Sequence, residues 1–279
     1  MIWGTTFVIS DTALGSMSPA ALTVARFVLA LSVLAPVALR RGGVAVAIRS
    51  PPVALLGATG VAAYYGLQNL GLVTTGAGTA AVLQAGLPIE TSVIAWLWLG
   101  ERLTGGLLAG LALATIGVAL VAGQAAAEAS PGAALVATGV IAYAVYTVLL
   151  KGQPTRDSIV LAAATCTWGV IFLLPWLMGE ILAGGAHLDL DRASAATLLY
   201  LGVVGSALTL FLWTYGASRV PASTAGVFTA AIPSVGYLCA IATGERGSWA
   251  RTLGCAFALL GAGIAAHVSP KDATLSSKV

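Results

Sequence analysis

The chain has very little charge. Only 8% of its 279 residues are Asp, Glu, Lys or Arg, while 58% are hydrophobic and mean hydropathy is +0.96. A soluble domain carries about 25% charged residues, so this composition cannot clothe a water-exposed globule and describes an integral membrane protein. Cysteine is also scarce: Cys166, Cys239 and Cys255 each lie inside an apolar run, as small hydrophobes rather than a disulfide framework. There are two histidines, and His187 with Asp189 and Asp191 lacks a fourth ligand nearby, so neither a metal nor a cofactor is expected. No Ser-His-Asp, Cys-His, Walker or dinucleotide pattern occurs in a plausible setting, which argues against an enzyme and against ATP-driven pumping by this chain alone. The net charge of +3 and pI near 8.9 reflect basic residues distributed by topology rather than a nucleic-acid patch. Met1-Ile2-Trp3-Gly4 has no basic n-region and reads as the start of a membrane helix, not a cleaved signal.

What the chain does have is a repeat. Leu67, Gly71, Ala77, Thr79, Ala80, Val82, Ala85 and Pro88 recur 145 residues later as Leu212, Gly216, Ala222, Thr224, Ala225, Val227, Ala230 and Pro233. At an offset of 144, Gly100-Glu101-Arg102 matches Gly244-Glu245-Arg246, Gly110 matches Gly254 and Gly117 matches Gly261. The front ends align at 139, pairing Phe7 with Tyr146, Leu22 with Leu161 and Pro36 with Pro175. Duplication within an apolar chain is the pattern of a transporter core.

A spanning helix needs roughly 20 residues. Breaks at charged, Pro-Gly and Ser-Pro clusters predict ten runs: 1–14, 19–39, 53–72, 76–98, 104–122, 132–150, 157–178, 194–217, 221–243 and 248–268. The first is a turn or two short, which suggests that the span begins further upstream. With a cytoplasmic N-terminus, the inner loops and tail hold Arg40, Arg41, Arg49, Arg102, Lys151, Arg156, Arg219, Lys271 and Lys278, against Arg192, Arg246 and Arg251 outside. That asymmetry predicts both termini inside. Five helices per copy reverse the sense of the second, and the basic Arg40-Arg41 duly has an acidic counterpart segment with Glu180, Asp189 and Asp191. The expected fold is all-α, with ten transmembrane helices in two inverted five-helix repeats, 1–124 and 125–268, and a cytoplasmic tail at 269–279.

Ile2-Trp3-Gly4-Thr5-Thr6-Phe7, Ala25-Arg26-Phe27, Ala77-Gly78-Thr79-Ala80-Ala81-Val82-Leu83 with Pro88, and Trp98-Leu99-Gly100-Glu101-Arg102-Leu103 together resemble the drug/metabolite transporter superfamily, EamA type. The resemblance spans nearly the whole chain. It implies a central cavity worked by alternating access, commonly to export amino acids or related metabolites. Glu90 departs from it, standing where the family usually has an apolar or hydroxyl residue.

Two charges lie firmly within the runs, Arg26 and Glu90, and a charge at that depth usually faces a cavity or a partner. Arg26 reads either as an anchor for a substrate carboxylate or as a packing arginine that bonds backbone carbonyls. Glu90 reads either as a proton-coupling site or amino-group partner, or as a buried neutral acid. The two are offset along the membrane normal by roughly 10 Å, which disfavours a direct salt bridge. Tyr143, Tyr146, Trp168 and Tyr237 sit deep enough to line a cavity, with Gln68 and Gln84 to orient a solute. Tyr64 and Trp213 are further candidates, although these two, like Trp3, Tyr65 and Tyr215, also suit interfacial anchoring near helix ends. Pro88 and Pro233, at matching places in the two copies, suggest paired gates beside Gln84 and Thr229. Gly106, Gly110, Gly117, Gly254, Gly261 and Gly263 read as close-packing scaffold or as a dimer contact.

The expected activity is secondary active export of small organic solutes, most naturally amino acids, from a cell's inner (plasma) membrane by a monomer or weak homodimer. Exchange of phosphorylated or nucleotide sugars needs several membrane cations, and only Arg26 is present. A non-transporting scaffold is the remaining alternative, though it has no need of matched mid-helix prolines.

Overall fold

A computed structural model of the chain describes residues 2–122, 130–153, 157–242 and 248–268. Among them the regular structure is helical, apart from one isolated bridge between Met17 and Leu188. The first half comprises α1 (Trp3–Ala13), α2 (Pro19–Arg41), α3 (Val44–Arg49), α4 (Pro51–Gly57), a π-helical segment (Ala58–Ala63), α5 (Tyr64–Leu83), a 3-10 turn (Gln84–Gly86), α6 (Leu87–Leu99) and α7 (Gly105–Ala122). The second comprises α8 (Pro131–Leu149), a 3-10 turn (Leu150–Gly152), α9 (Ser158–Leu182), α10 (Arg192–Leu199), a second π-helical segment (Tyr200–Leu208), α11 (Thr209–Ala217), α12 (Ala222–Phe228), α13 (Ala231–Ala242) and α14 (Trp249–Val268).

Helices start where the sequence satisfies their first amides. Proline takes an opening position in α2 after Ser18 and in α8 after Ser130, whose hydroxyl accepts from the Ala133 amide at 3.0 Å. Asp157 accepts from the amides of Ile159 and Val160 at the head of α9, and Asp191 forms a capping box with Ser194 at the head of α10.

Among the described residues, five helices are long and apolar enough to cross a membrane: Pro19–Arg41, Pro131–Gly152, Ser158–Leu182, Arg192–Ala217 and Trp249–His267. Leu87–Leu99 and Gly105–Val121 are shorter apolar helices. The ten runs read from sequence therefore do not all emerge as ten long helices, for two physical reasons. The expected break near residue 73 is bridged by helical hydrogen bonding within α5. Yet the Tyr64 hydroxyl bonds Gln84 Oε1 at 3.4 Å, whereas twenty residues of straight helix span about 30 Å. The helix is therefore strongly bent within that stretch. The fourth and ninth runs are each interrupted, at the 3-10 turn Gln84–Gly86 just before Pro88 and between α12 and α13 just before Pro233, where a missing amide and a ring clash both weaken the preceding turn.

The repeat is visible in the packing. A Cβ on Gly57 would fall 2.4 Å from Trp168 Cβ and 2.9 Å from the Thr165 carbonyl; one on Gly202 would fall 2.6 Å from Leu29 Cβ and 3.1 Å from the Arg26 carbonyl. These are the same contacts under the sequence offsets, since Gly57 corresponds to Gly202, Thr165 to Arg26 and Trp168 to Leu29. The crossing of α7 and α14 repeats the pattern: Gly110 meets Gly261 and Ala265, and Gly254 meets Gly117 and Val121. Gly110, Gly117, Gly254 and Gly261 are thus used within the chain, letting two backbones touch. Equivalent helices also run antiparallel. Along α2 and α9, Ser18 bonds Glu180, the Phe27 carbonyl accepts from Cys166, and Arg41 bonds Asp157. Both π-helical segments fall at matching places, 58–63 and 200–208.

Candidate functional site

Rings from both halves meet inside the bundle. Tyr143 of α8 is the hub: Trp3 of α1 stands edge-on at 5.4 Å between ring centroids, Tyr64 lies at 4.5 Å, Tyr146 at 5.1 Å and Trp213 of α11 at 5.7 Å. Tyr65 joins through Tyr64 at 4.6 Å and through Phe27 at 4.8 Å, and its hydroxyl accepts the Trp3 indole N–H at 3.1 Å. The cluster has room to form because a glycine lies beside it: a Cβ on Gly60, in the first π-helical segment, would fall 2.5 Å from the Tyr146 ring.

Arg26 borders this cluster and is fully buried. Its guanidinium carbon lies 4.7 Å from the Tyr65 ring centroid and 5.6 Å from that of Phe27. It donates from Nε to Ser206 Oγ at 2.9 Å, from one Nη to the Gly205 carbonyl at 3.3 Å and from the other to Ser10 Oγ at 3.4 Å. Only the first is a close bond, and none carries negative charge. Among the described residues Arg26 has no carboxylate partner; the ion pair there is Arg41 with Asp157 at 3.3 Å. A buried guanidinium held only by neutral dipoles and ring faces lacks the opposite charge that would best offset its desolvation.

Three polar atoms at the cluster also go without partners: Tyr143 Oη, Trp213 Nε1 and Gln84 Nε2. Leaving each buried and unpaired costs about 1–3 kcal/mol, and a bound solute with acceptors would satisfy them.

The structure thus brings together Arg26, Tyr64, Gln84, Tyr143, Tyr146 and Trp213. Gln68, one turn beyond Tyr64, is buried with its Oε1 unpaired. Glu90 lies half-buried in the first turn of α6 with Oε2 enclosed and unbonded, and no ion pair joins it to Arg26. Pro88 is buried at the start of α6, and Pro233 belongs to α13. Trp168 and Tyr237 lie elsewhere. The Trp168 indole donates to the Ile48 carbonyl and stacks on Phe172, and the Tyr237 hydroxyl donates to the Ser248 carbonyl and accepts the Ser248 amide. Trp3 and Tyr65, which sequence position made look like interfacial anchors, are central, because nearness to a helix end does not report which face turns inward. Tyr215 does stand exposed, with Arg219 over its ring at 3.6 Å.

Glu101 is a residue whose role sequence reasoning missed. Its carboxylate accepts from the amides of Ala222 and Ser223 and from the Ser223 hydroxyl, at 2.7, 3.0 and 2.6 Å, so the end of the first half caps a helix of the second. Gly100 makes that turn at φ +64°, a left-handed conformation suited to glycine. The signal lay in the recurrence of Gly-Glu-Arg; its second occurrence, Gly244-Glu245-Arg246, lies outside the described residues.

An apolar chain, helical among its described residues, with a buried polar and aromatic cluster built from both of its halves fits a multi-pass membrane protein of the transporter class. The sequence matches the EamA-like transporter family over residues 1–123 and 130–266, and the chain belongs to that family, within the drug/metabolite transporters. A protein of Streptantibioticus cattleyicolor bearing the name "Probable terminal-alkyne amino-acid exporter" is 35% identical over 216 residues, covering 76% of this chain and 70% of its own. An "Uncharacterized transporter" of Archaeoglobus fulgidus is 29% identical over 238 residues, 85% of this chain and 84% of its own. A protein of known crystal structure shares the fold at TM-score 0.77 over 96% of both chains, with 20% identity.

Proposed function

We propose that the protein is a secondary active exporter of amino acids or related amphipathic solutes. The observation that carries this reading is the buried Arg26 guanidinium, without a carboxylate partner among the described residues, beside the Trp3–Tyr143–Trp213 ring cluster. Guanidinium matches a carboxylate in charge and in fork geometry, and the rings supply apolar area with polar handles for the rest of an amphipathic solute. Tyr143, Trp213, Gln84 and Gln68 would complete the solute's hydrogen bonds, with Glu90 as proton carrier or amino-group partner.

Ten spans in two inverted units, 1–124 and 125–268, with both termini and the tail cytoplasmic in the inner membrane, best reconcile the positive-inside count with the antiparallel packing of equivalent helices. Alternating access then consists of one unit rocking against the other, with the interruptions before Pro88 and Pro233 as the flexible points. A monomer suffices for this cycle, and a weak homodimer is compatible with it.

The test is counterflow in proteoliposomes against amino acids and their carboxamides. The acid form should be exchanged at least tenfold faster, and Arg26→Gln should abolish that preference. No exchange of any solute by correctly inserted protein would favour a scaffold, and equal exchange of acid and amide would remove Arg26 as the anchor.

A further inference from the structure

The bundle carries an apolar groove on its outer surface, away from the ring cluster. Its volume is about 280 Å³, and its walls are Val33 and Val37 of α2 on one side and Val204, Leu208 and Phe211 on the other, with the buried Ala207 at its base. Val33, Val37 and Leu208 are each 42% exposed, so the groove is open to whatever surrounds the protein.

Both walls lead to arginines at the same end of the bundle. On α2, Arg40 follows Val37 by three residues, continuing the stripe begun by Val33. On the other wall Phe211, Tyr215 and Arg219 follow one another at four-residue spacing, with the Phe211 and Tyr215 rings 6.1 Å apart and the Arg219 guanidinium over the Tyr215 ring. The two walls run parallel, since Arg26 bonds Ser206 near one end and both Val37 and Phe211 border the groove further along. Arg41 is paired with Asp157, while Arg40 and Arg219 are exposed and have no acidic partner among the described residues. Arg219 also donates to the Tyr215 carbonyl at 2.6 Å. An apolar trough leading toward two exposed arginines without an acidic partner among the described residues is complementary to a molecule with an acyl chain and an anionic head.

We propose that this groove seats an acyl chain of an anionic membrane phospholipid, with its phosphate held by Arg40 and Arg219. The groove is floored by the π-helical segment Tyr200–Leu208, whose other face supplies Gly205 and Ser206 to Arg26. The seated chain therefore buttresses the segment that holds the buried arginine. This inference does not depend on which solute is carried.

The experiment is native mass spectrometry of the full chain purified in neutral detergent and supplied with phosphatidylglycerol or phosphatidylcholine of identical acyl chains. Phosphatidylglycerol should be retained in preference, and each of Arg40→Gln and Arg219→Gln should lower that retention about fivefold. Arg251→Gln, at the head of α14, should leave it unchanged. Val204→Trp, which fills the groove without touching the arginines, should reduce retention of both lipids. Equal retention of the two lipids, or a preference that survives the double arginine substitution, would overturn the site. Full retention by Val204→Trp would overturn the groove as the place of the chain. Lipid retention is read without any transport assay, so its failure is distinct from a failure of the export reading.

Discussion

The two halves of this protein share a scaffold and differ in the chemistry mounted on it. Gly57 and Gly202 make the same close contacts through opposite partners, and Gly110 and Gly254 exchange roles across the α7–α14 crossing. Outside the repeated Gly-Glu-Arg, charge is less well kept. Arg26 corresponds by offset to Thr165, a buried hydroxyl with no hydrogen-bond partner. Arg41 corresponds to Glu180, and each secures a helix start in the opposite half: Arg41 bonds Asp157 at the head of α9, while Glu180 accepts from Ser18 Oγ at 2.6 Å and the Ala20 amide at 3.1 Å at the head of α2. Duplication thus preserved the contacts that depend on shape, while the charges at Arg26 and Arg41 were not kept in the second copy.

The largest expected effect sets Arg26 against Thr165. Arg26→Gln should lower counterflow at least about 30-fold, because a substrate carboxylate left without its buried partner loses 2 kcal/mol or more. Thr165→Val, which removes an unpaired hydroxyl from the matching site, should change it by less than about threefold. Similar losses in both, at equal membrane insertion, would mean that the asymmetry has no functional content.

The next effect should be equal in the two halves. A Cβ on Gly117 would fall 2.3 Å from the Ala258 amide nitrogen, and one on Gly261 would fall 2.5 Å from the Gly110 carbonyl. Gly117→Ala and Gly261→Ala should each destabilise by about 1–3 kcal/mol through overpacking. Thermal unfolding in detergent would check this. A pair differing by more than about 2 kcal/mol would show that the crossing is not symmetric in energy.

A smaller and unequal pair comes from the helix starts. Glu180→Gln weakens a charged acceptor of two bonds at the head of α2 and should cost about 1 kcal/mol. Arg41→Gln removes one exposed ion pair at 3.3 Å and should cost below about 0.5 kcal/mol. Denaturant titration of the two variants would rank them, and the reverse order would place the structural weight on the Arg41 side.

Much of this contrast was legible in the sequence. The offsets of 145, 144 and 139 identified the equivalent residues, and small residues at those places marked the close crossings. Shape repeats are readable because they require the same residue types twice. The ring cluster was read only in part: Tyr143 and Tyr146 stood out by depth, but Trp3, Tyr65 and Trp213 were confounded with interfacial anchors, since hydropathy is silent on rotation about a helix axis. Trp168 and Tyr237 were confounded in the other direction, because depth alone does not distinguish a ring facing the centre from one that ties a neighbouring backbone. Glu101 was missed because its partners, Ala222 and Ser223, lie 121 and 122 residues away and carry no charge.

The smallest effect concerns pH, and it too distinguishes the halves. At the head of α9, partial burial pushes the Asp157 carboxyl up, but the amide of Val160, the Arg41 guanidinium and the amide of Ile159 outweigh it, and the group is held below its ordinary 3.8. A carboxylate whose folded value is depressed contributes stability that is complete above the unfolded value and is lost as pH falls through the folded one. Stability should therefore decline below about pH 4 partly through this cap, and Asp157→Asn should flatten that portion of the acid limb while leaving the neutral range nearly unchanged. The matching residue at the head of α2 is Ser18, which has no titrating group of its own. Unfolding measured from pH 3 to pH 7 would decide it: acid limbs that run parallel in the wild type and in Asp157→Asn would mean that the α9 cap, like the exposed Arg41 pair beside it, contributes nothing measurable to the difference between the halves.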